Sequence, residues 1–204
     1  MRLWTCSRQP RIRPVTERFA SEDSEDVVLV RTARDGDRAA FGCLYQRYAR
    51  MVHGVLLARV PASAVDDLVQ DVFIRALRRL SALRKSECFG AWLAAIARNL
   101  ANDFHRRSLP EEPMPETVEI ADETANMDQQ RDAASVLEAI RNLPDVYRET
   151  LILRLVEGMT GPEIAERTGL THGSVRVNLH RGMLQLRAVL DPNRSGDKTE
   201  QETV

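Results

Sequence analysis

The stretch LTHGSVRVNLHRGMLQL, residues 170–186, decides the fold of the C-terminal half. Thr171 is a natural helix N-cap, and apolar residues recur behind it at Val175, Leu179, Met183, Leu186 and Leu190, the spacing of one helix face. That face is committed to packing. His172, Ser174, Arg176, Asn178, His180 and Arg181 are expected on the opposite side, where side chains of these types can contact base edges or phosphates. An amphipathic C-terminal helix has a polar outer face whether or not it meets a nucleic acid, so the helix alone decides nothing about function.

The residues before it supply context. LPDVYRETLILRLVEGMTGPEIAERTGL predicts a helix from about Pro144 to Glu157, a break at Gly158, and a short helix with Pro162 in its first turn and Thr160 or Gly161 as its cap. Ile164 and Ala165 are its buried residues. Gly169 then provides the tight turn that two crossed helices need. Short helix, glycine turn, and a second helix with a polar and basic first turn form a helix-turn-helix unit of the DNA-binding kind.

Working outward, the fold class is all-α: two small helical domains joined by an acidic, proline-containing linker. Helical periodicity runs from Val27 to Arg107, and no alternating strand pattern or internal repeat interrupts it. SLPEEPMPETVEIADE, from Ser108, holds three prolines in an acidic run that no helix continues through. The expected divisions are a flexible arm at 1–24, a first domain at 25–108, a linker at 109–131, a helix-turn-helix domain at 132–190 and a polar tail at 191–204.

Charge is segregated along the chain although the total is only −1. Residues 26–108 hold 14 basic and 8 acidic groups, whereas 109–135 hold 1 and 8. Basic surface attracts phosphate, and the connector would be repelled by it.

Other classes are set aside by composition. No apolar run approaches the roughly 20 residues that span a bilayer, and the Arg-rich start lacks the apolar centre of a secretory signal, so a cytoplasmic protein is expected. Cys6, Cys43 and Cys88 are far apart and form no metal-ligand spacing; Cys43, beside Phe41 and Leu44, is expected to pack. No paired carboxylates, Cys/His cluster or phosphate loop suggests an enzyme, and neither cofactor nor metal is expected.

Three segments shape the first domain. The first places Phe41, Leu44, Tyr45 and Tyr48 on one face. The second, AVDDLVQDVFIRALRRL, is expected to bury Leu68, Val69, Val72, Phe73, Ala76, Leu77 and Leu80, leaving Asp66, Asp67, Gln70 and Asp71 outside. Acidic residues early in a helix also suit its dipole, so a docking surface and simple helix-end charge both fit. The third, FGAWLAAIARNLANDFHRRS, is expected to pack Trp92, Ile96, Leu100 and Phe104 and to face Arg98, Asn99, Asn102, Asp103, Arg106 and Arg107 outward. Aromatics beside cations and amides suit an opened DNA strand, although a Trp at helical spacing is more often core.

In this order, GDRAAF..LY..Y, DDLVQDVF.RAL, F.AWL..IARNLA.D..RR, the acidic linker and LP..YRE.L.LR..EGMTGPEIAERTGL..GSVRVNLHRG resemble the extracytoplasmic-function (ECF) group of bacterial sigma factors over about residues 27–190. The resemblance implies a protein that joins core RNA polymerase and directs promoter-specific initiation without catalysing a reaction. Asp66, Asp67, Gln70 and Asp71 would belong to the helix that docks on the clamp helices of the largest subunit, the flap being a further polymerase contact. Leu83 to Arg107 would capture and melt the −10 element, with a flipped base near the loop from Arg84 to Phe89. Arg84, Lys85, Trp92, Arg98, Asn99, Asp103, Arg106 and Arg107 are the candidates there. His172, Ser174, Arg176, Asn178, His180 and Arg181 would read the −35 element, Arg176 and Arg181 foremost. The acidic linker would thread toward the active-site cleft and RNA exit path.

An anti-sigma factor is the implied regulator, with neither a small-molecule substrate nor membrane insertion. Val177 and Asn178 depart from the family pattern of a small polar residue followed by an arginine, which implies an unusual −35 preference. The polar residues after Leu190 imply no fused C-terminal sensor. A stand-alone helix-turn-helix regulator, dimeric on a palindromic site, is the alternative reading, and it has no use for the Asp67 helix.

Overall fold

The computed structural model describes the backbone of residues 15–107 and 127–190, and the side chains of 25–107 and 134–190. The tail at 191–204 and the prolines of the linker lie outside them. No strand occurs among the described residues, in agreement with the all-α reading. The helices are α1 (Val15–Arg34), α2 (Arg38–Leu57), α3 (Val65–Arg79), α4 (Phe89–Arg107), α5 (Met127–Arg141), α6 (Asp145–Leu155), α7 (Gly161–Thr168) and α8 (His172–Leu190).

Two ends differ from the sequence pattern. α1 starts at Val15, so residues 15–24, assigned to a flexible arm, are helical. Its sequence is polar on nearly every side there, and good helix formers such as Glu17, Arg18, Ala20 and Glu22 extend a helix without an apolar period to reveal it. α5 likewise starts at Met127, inside the stretch assigned to the linker.

Local chemistry fixes the helix starts. The Asp37 carboxylate caps α2 by accepting from the backbone N–H groups of Ala39 and Ala40 at 2.7 and 3.2 Å. α3 carries Asp66 and Asp67 in its first turn and Arg78 and Arg79 in its last, matching the helix dipole at both ends.

α1 to α4 pack around Leu44, Met51, Val52, Val55, Val72, Phe89, Leu93 and Ala97, all nearly or wholly buried. Each large side chain so buried contributes about 1.5–3 kcal/mol. Three apolar assignments are corrected here. Leu77 is 49% exposed and Tyr45 41% exposed, its ring lying 4.5 Å from that of Phe73. Trp92 and Ile96 pack against the core as expected but stay half-buried, because the centre of the inward face of α4 is Phe89, Leu93, Ala97, Leu100 and Ala101. Cys43 is exposed rather than packed, since Leu44 and Tyr48 take the buried side of α2.

The second half does not stand apart from the first. α6 runs between α2 and α8, and Glu149 through Leu153 are buried on all sides, so one core continues through both halves. α7 lies against α4. Close approach depends on small residues: a Cβ on Gly54 would come within 2.7 Å of Leu153 Cδ2, and one on Gly90 within 2.7 Å of the Arg167 carbonyl.

Candidate nucleic-acid interface

On α3, Asp66, Asp67, Gln70 and Asp71 are all exposed, while Leu68, Val69, Val72 and Phe73 hold the opposite face in the core. Continuing the same outer stripe are Ile74, 46% exposed, and Leu77. The helix therefore presents an acidic, amide and apolar strip that nothing among the described residues covers.

The loop before α4 runs between two 3-10 turns, Leu80–Ala82 and Ser86–Cys88, and holds Arg84 and Lys85 in solvent. Arg34 anchors this loop by donating to the Leu83 carbonyl at 2.6 Å. Phe89, at its far end, is wholly buried and packs edge-on against Tyr48, so it is unavailable to a flipped base. Trp92, with its ring 6.0 Å from that of Phe89, keeps part of its indole open beside this loop.

Farther along α4, Asn99, Arg106 and Arg107 are exposed. The Asp103 carboxylate is half-buried, ion-paired with Arg106 and 3.7 Å from Arg75. Its charge is thus engaged by cations of the chain itself. A cavity of about 210 Å³ between α3 and α4 is lined by Asp71, Asp103 and Arg107, so the acidic strip and the basic end of α4 adjoin.

Arg98 is half-buried and paired rather than free in solvent, contrary to the pattern. Its Nε and a terminal nitrogen donate to both carboxylate oxygens of Glu149, at 3.1 and 2.7 Å. The Glu149 hydrogen bonds raise the guanidinium's affinity for its proton above the usual arginine value, against the effect of burial.

In the second half, α7 opens with a full capping box. Thr160 Oγ1 accepts from the Glu163 N–H, and the Glu163 carboxylate accepts from the Thr160 N–H. Gly169 closes it with φ of 75°, a left-handed conformation that favours glycine. Thr171 Oγ1 then accepts from the Ser174 N–H at 3.1 Å and starts α8.

His172, Ser174, Arg176, His180 and Arg181 are exposed, as expected. Asn178 is the exception, at 8% exposed. The packed face is Val175, Asn178, Gly182 and Leu186, because a Cβ on Gly182 would lie about 3 Å from Leu151 and Tyr147: α8 sits close on α6 at its smallest residue. That rotation moves Leu179 and Met183 to the edge, leaves Leu190 exposed, and puts Val177, 44% exposed, outside in place of Asn178.

Residues 44–109 match the family model for Sigma-70 region 2, and residues 133–186 that for Sigma-70 region 4. ECF RNA polymerase sigma factor BldN of Streptomyces coelicolor is 32% identical over 179 residues, covering 83% of this chain and 67% of that protein. The ECF RNA polymerase sigma-E factor of Escherichia coli K12 is 30% identical over 183 residues, covering 79% and 92%.

This chain belongs to the ECF sigma factors of RNA polymerase.

As an ECF sigma factor it directs transcription initiation. Among solved structures, CnrH in complex with the cytosolic domain of CnrY matches with a TM-score of 0.59 at 27% identity, over 83% of this chain and 99% of that one. The sigma factor RpoE of Bartonella quintana, in complex with the anti-sigma factor NepR, matches at 0.50 and 20% identity, over 76% and 98%, a likeness of fold. Among the described residues of this ECF sigma factor, no helix is long and apolar enough to cross a membrane, and no cluster of His, Cys, Asp and Glu could hold a metal ion.

The contacts between the two halves of the sigma factor escaped the sequence reading. His53 Nδ1 lies 2.6 Å from Glu157, Arg141 donates to the carbonyls of Leu57 and Val60, Arg148 to that of Ala58, and Arg167 to that of Arg47. The signal available was slight: Glu149, a charge just before the apolar run Leu151–Leu153 of α6, and Gly54 and Gly90, glycines inside helices with no turn to make.

Proposed function

We propose that the exposed strip of Asp66, Asp67, Gln70 and Asp71 is the surface by which this sigma factor docks on core RNA polymerase, and that α4 and α8 carry its two promoter contacts. The strip itself is the observation that supports this. Helix-dipole complementarity accounts for acids in the first turn, Asp66 and Asp67, but Gln70 and Asp71 lie beyond it and lead into exposed Ile74 and Leu77. Mixed polar and apolar exposure on a helix whose other face is fully core is the pattern of a partner surface.

In this reading Arg84, Lys85, Trp92, Arg98, Asn99, Arg106 and Arg107 meet the −10 region, with Asp103 orienting the Arg106 cation. His172, Ser174, Arg176, His180 and Arg181 enter the major groove at the −35 element, with Val177 at that face and Asn178 supporting the helix from behind. The flap is the second polymerase contact. The acidic linker, whose charge would mimic nucleic acid, runs along the polymerase cleft. The protein works in the cytoplasm and acts by binding alone. CnrH, solved with the cytosolic domain of CnrY, supports a protein partner of the anti-sigma kind for this chain as well.

The direct test is Asp67→Ala with Gln70→Ala. Both side chains are exposed, so the fold is expected to change by no more than about 0.5 kcal/mol. Co-elution with purified core polymerase is expected to disappear while affinity of the free protein for DNA stays unchanged. Retained co-elution would overturn the docking assignment.

A further inference from the structure

Val177 is an apolar residue in the middle of a polar face. It is 44% exposed. At about 100° of turn per residue, exposed Arg176 and His180 fall on one side of it and exposed Ser174 and Arg181 on the other. It lies about 160° round α8 from buried Val175 and about 140° the other way from buried Gly182, which puts it opposite the packed stripe. One turn earlier on the same outer line stands Gly173, also exposed, where a Cβ would meet nothing nearer than Thr171 Oγ1 at 3.9 Å. An outer line that opens with a glycine and a valine lets the helix lie deep in a groove, where that line meets base edges.

A single exposed valine is ordinary on a protein surface. Helix stability does not account for this one, because a β-branched side chain is a weaker helix former than alanine or arginine. Core packing does not account for it either, since Asn178 and Gly182 hold the packed face. Asn178, whose amide would otherwise suit an adenine edge, is 8% exposed and turned away.

Of the four bases, thymine alone presents an apolar group, its 5-methyl, in the major groove. An apolar side chain seated on another base edge strips water from donors and acceptors and returns no hydrogen bond. We propose that Val177 is a specificity-determining residue: it packs on the 5-methyl group of one thymine and so fixes a T·A pair at one position of the −35 element. This rests on the placement of α8 in the major groove there. The cations on either side, Arg176 and Arg181, supply attraction to the duplex, and Val177 supplies preference among sequences.

The test uses the full chain in holoenzyme with core RNA polymerase, on a promoter located by its run-off transcripts. Each thymine of the −35 element, on either strand, is replaced singly by deoxyuridine, which keeps every hydrogen-bonding group and lacks only the methyl. Affinity is read by competition with the unmodified promoter. One replacement is expected to weaken wild-type binding about fourfold, the effect of withdrawing one methyl from an apolar contact. Val177→Ser removes the apolar partner at a position outside the core, so its melting temperature is expected to match the wild type. With that variant the same deoxyuridine is expected to have no effect, while the response to every other replacement is unchanged.

The absence of any methyl-sensitive thymine, or a sensitivity that survives Val177→Ser, would overturn the proposal. So would a Val177→Ser variant that weakens binding to every duplex alike, deoxyuridine included, which would assign Val177 to a protein contact. Arg176→Ala and a scrambled −35 sequence separate this from the wider reading. If either still lowers affinity, α8 remains the −35 reader and only the thymine contact falls; if neither does, the placement of α8 falls with it.

Discussion

His53 of α2 and Glu157, just beyond α6, meet across the seam with 2.6 Å between Nδ1 and the carboxylate. The Glu157 hydrogen bond raises the imidazole's pKa above its ordinary 6.5, with charge from Glu157 and Asp66 acting in the same direction and burial opposing it. A raised value in the folded state means the protonated form is favoured by folding. The stabilisation is complete below 6.5, the unfolded value, and fades as pH rises through the higher folded value. His53 is 38% exposed, so screening keeps the contribution under about 1 kcal/mol. Thermal unfolding at pH 6 and pH 8 checks it: His53→Gln is expected to cost stability at pH 6 and much less at pH 8. An equal cost at both would show that the proton is irrelevant.

Arg176 and Asn178 are two positions apart and should behave in opposite ways. Arg176 is exposed on the side proposed to face the groove, so Arg176→Ala is expected to cost about 1–3 kcal/mol in affinity for the −35 duplex with an unchanged melting temperature. Asn178→Ala is expected to lower the melting temperature and to leave sequence preference intact, because its side chain is buried on the packed face of α8. Fluorescence anisotropy on a −35 duplex and on a scrambled one, with thermal melts in parallel, separates the two.

Gly169→Ala tests the turn. At φ of 75°, with an Ala91 side chain in the way, the substitution is expected to cost more than about 1 kcal/mol. Gly42→Ala is the internal control: it lies in α2 with nothing within 4 Å of a new Cβ, and a gain of about 0.5–1 kcal/mol is expected. Urea denaturation midpoints measure both.

Thr160→Ala removes one half of the capping box of α7 and is expected to cost about 1 kcal/mol. Because α7 packs on α4, the loss should appear as greater hydrogen exchange in both helices.

The helix-turn-helix was legible because its signals are local: Thr160, Pro162, Gly169 and Thr171 each act within a few residues. The outer strip of α3 was legible for the same reason, as periodicity alone separates Asp67 and Gln70 from Leu68 and Val69. What periodicity lacks is rotation. Leu179 and Asn178 both fall within reach of the packed arc of α8, and the close contact at Gly182 with α6 turned Asn178 inward. Arg98 was assigned to solvent because its partner, Glu149, is 51 residues away, in the other half. A pairing across that distance leaves no trace in either helix's own pattern.

Run-off transcription with purified bacterial core polymerase and genomic promoter fragments tests the account most directly. Specific transcripts are predicted only when this protein is added, with start sites that place a −10 element opposite α4 and a −35 element opposite α8. No transcript, together with no co-elution of the protein with core polymerase, would contradict it.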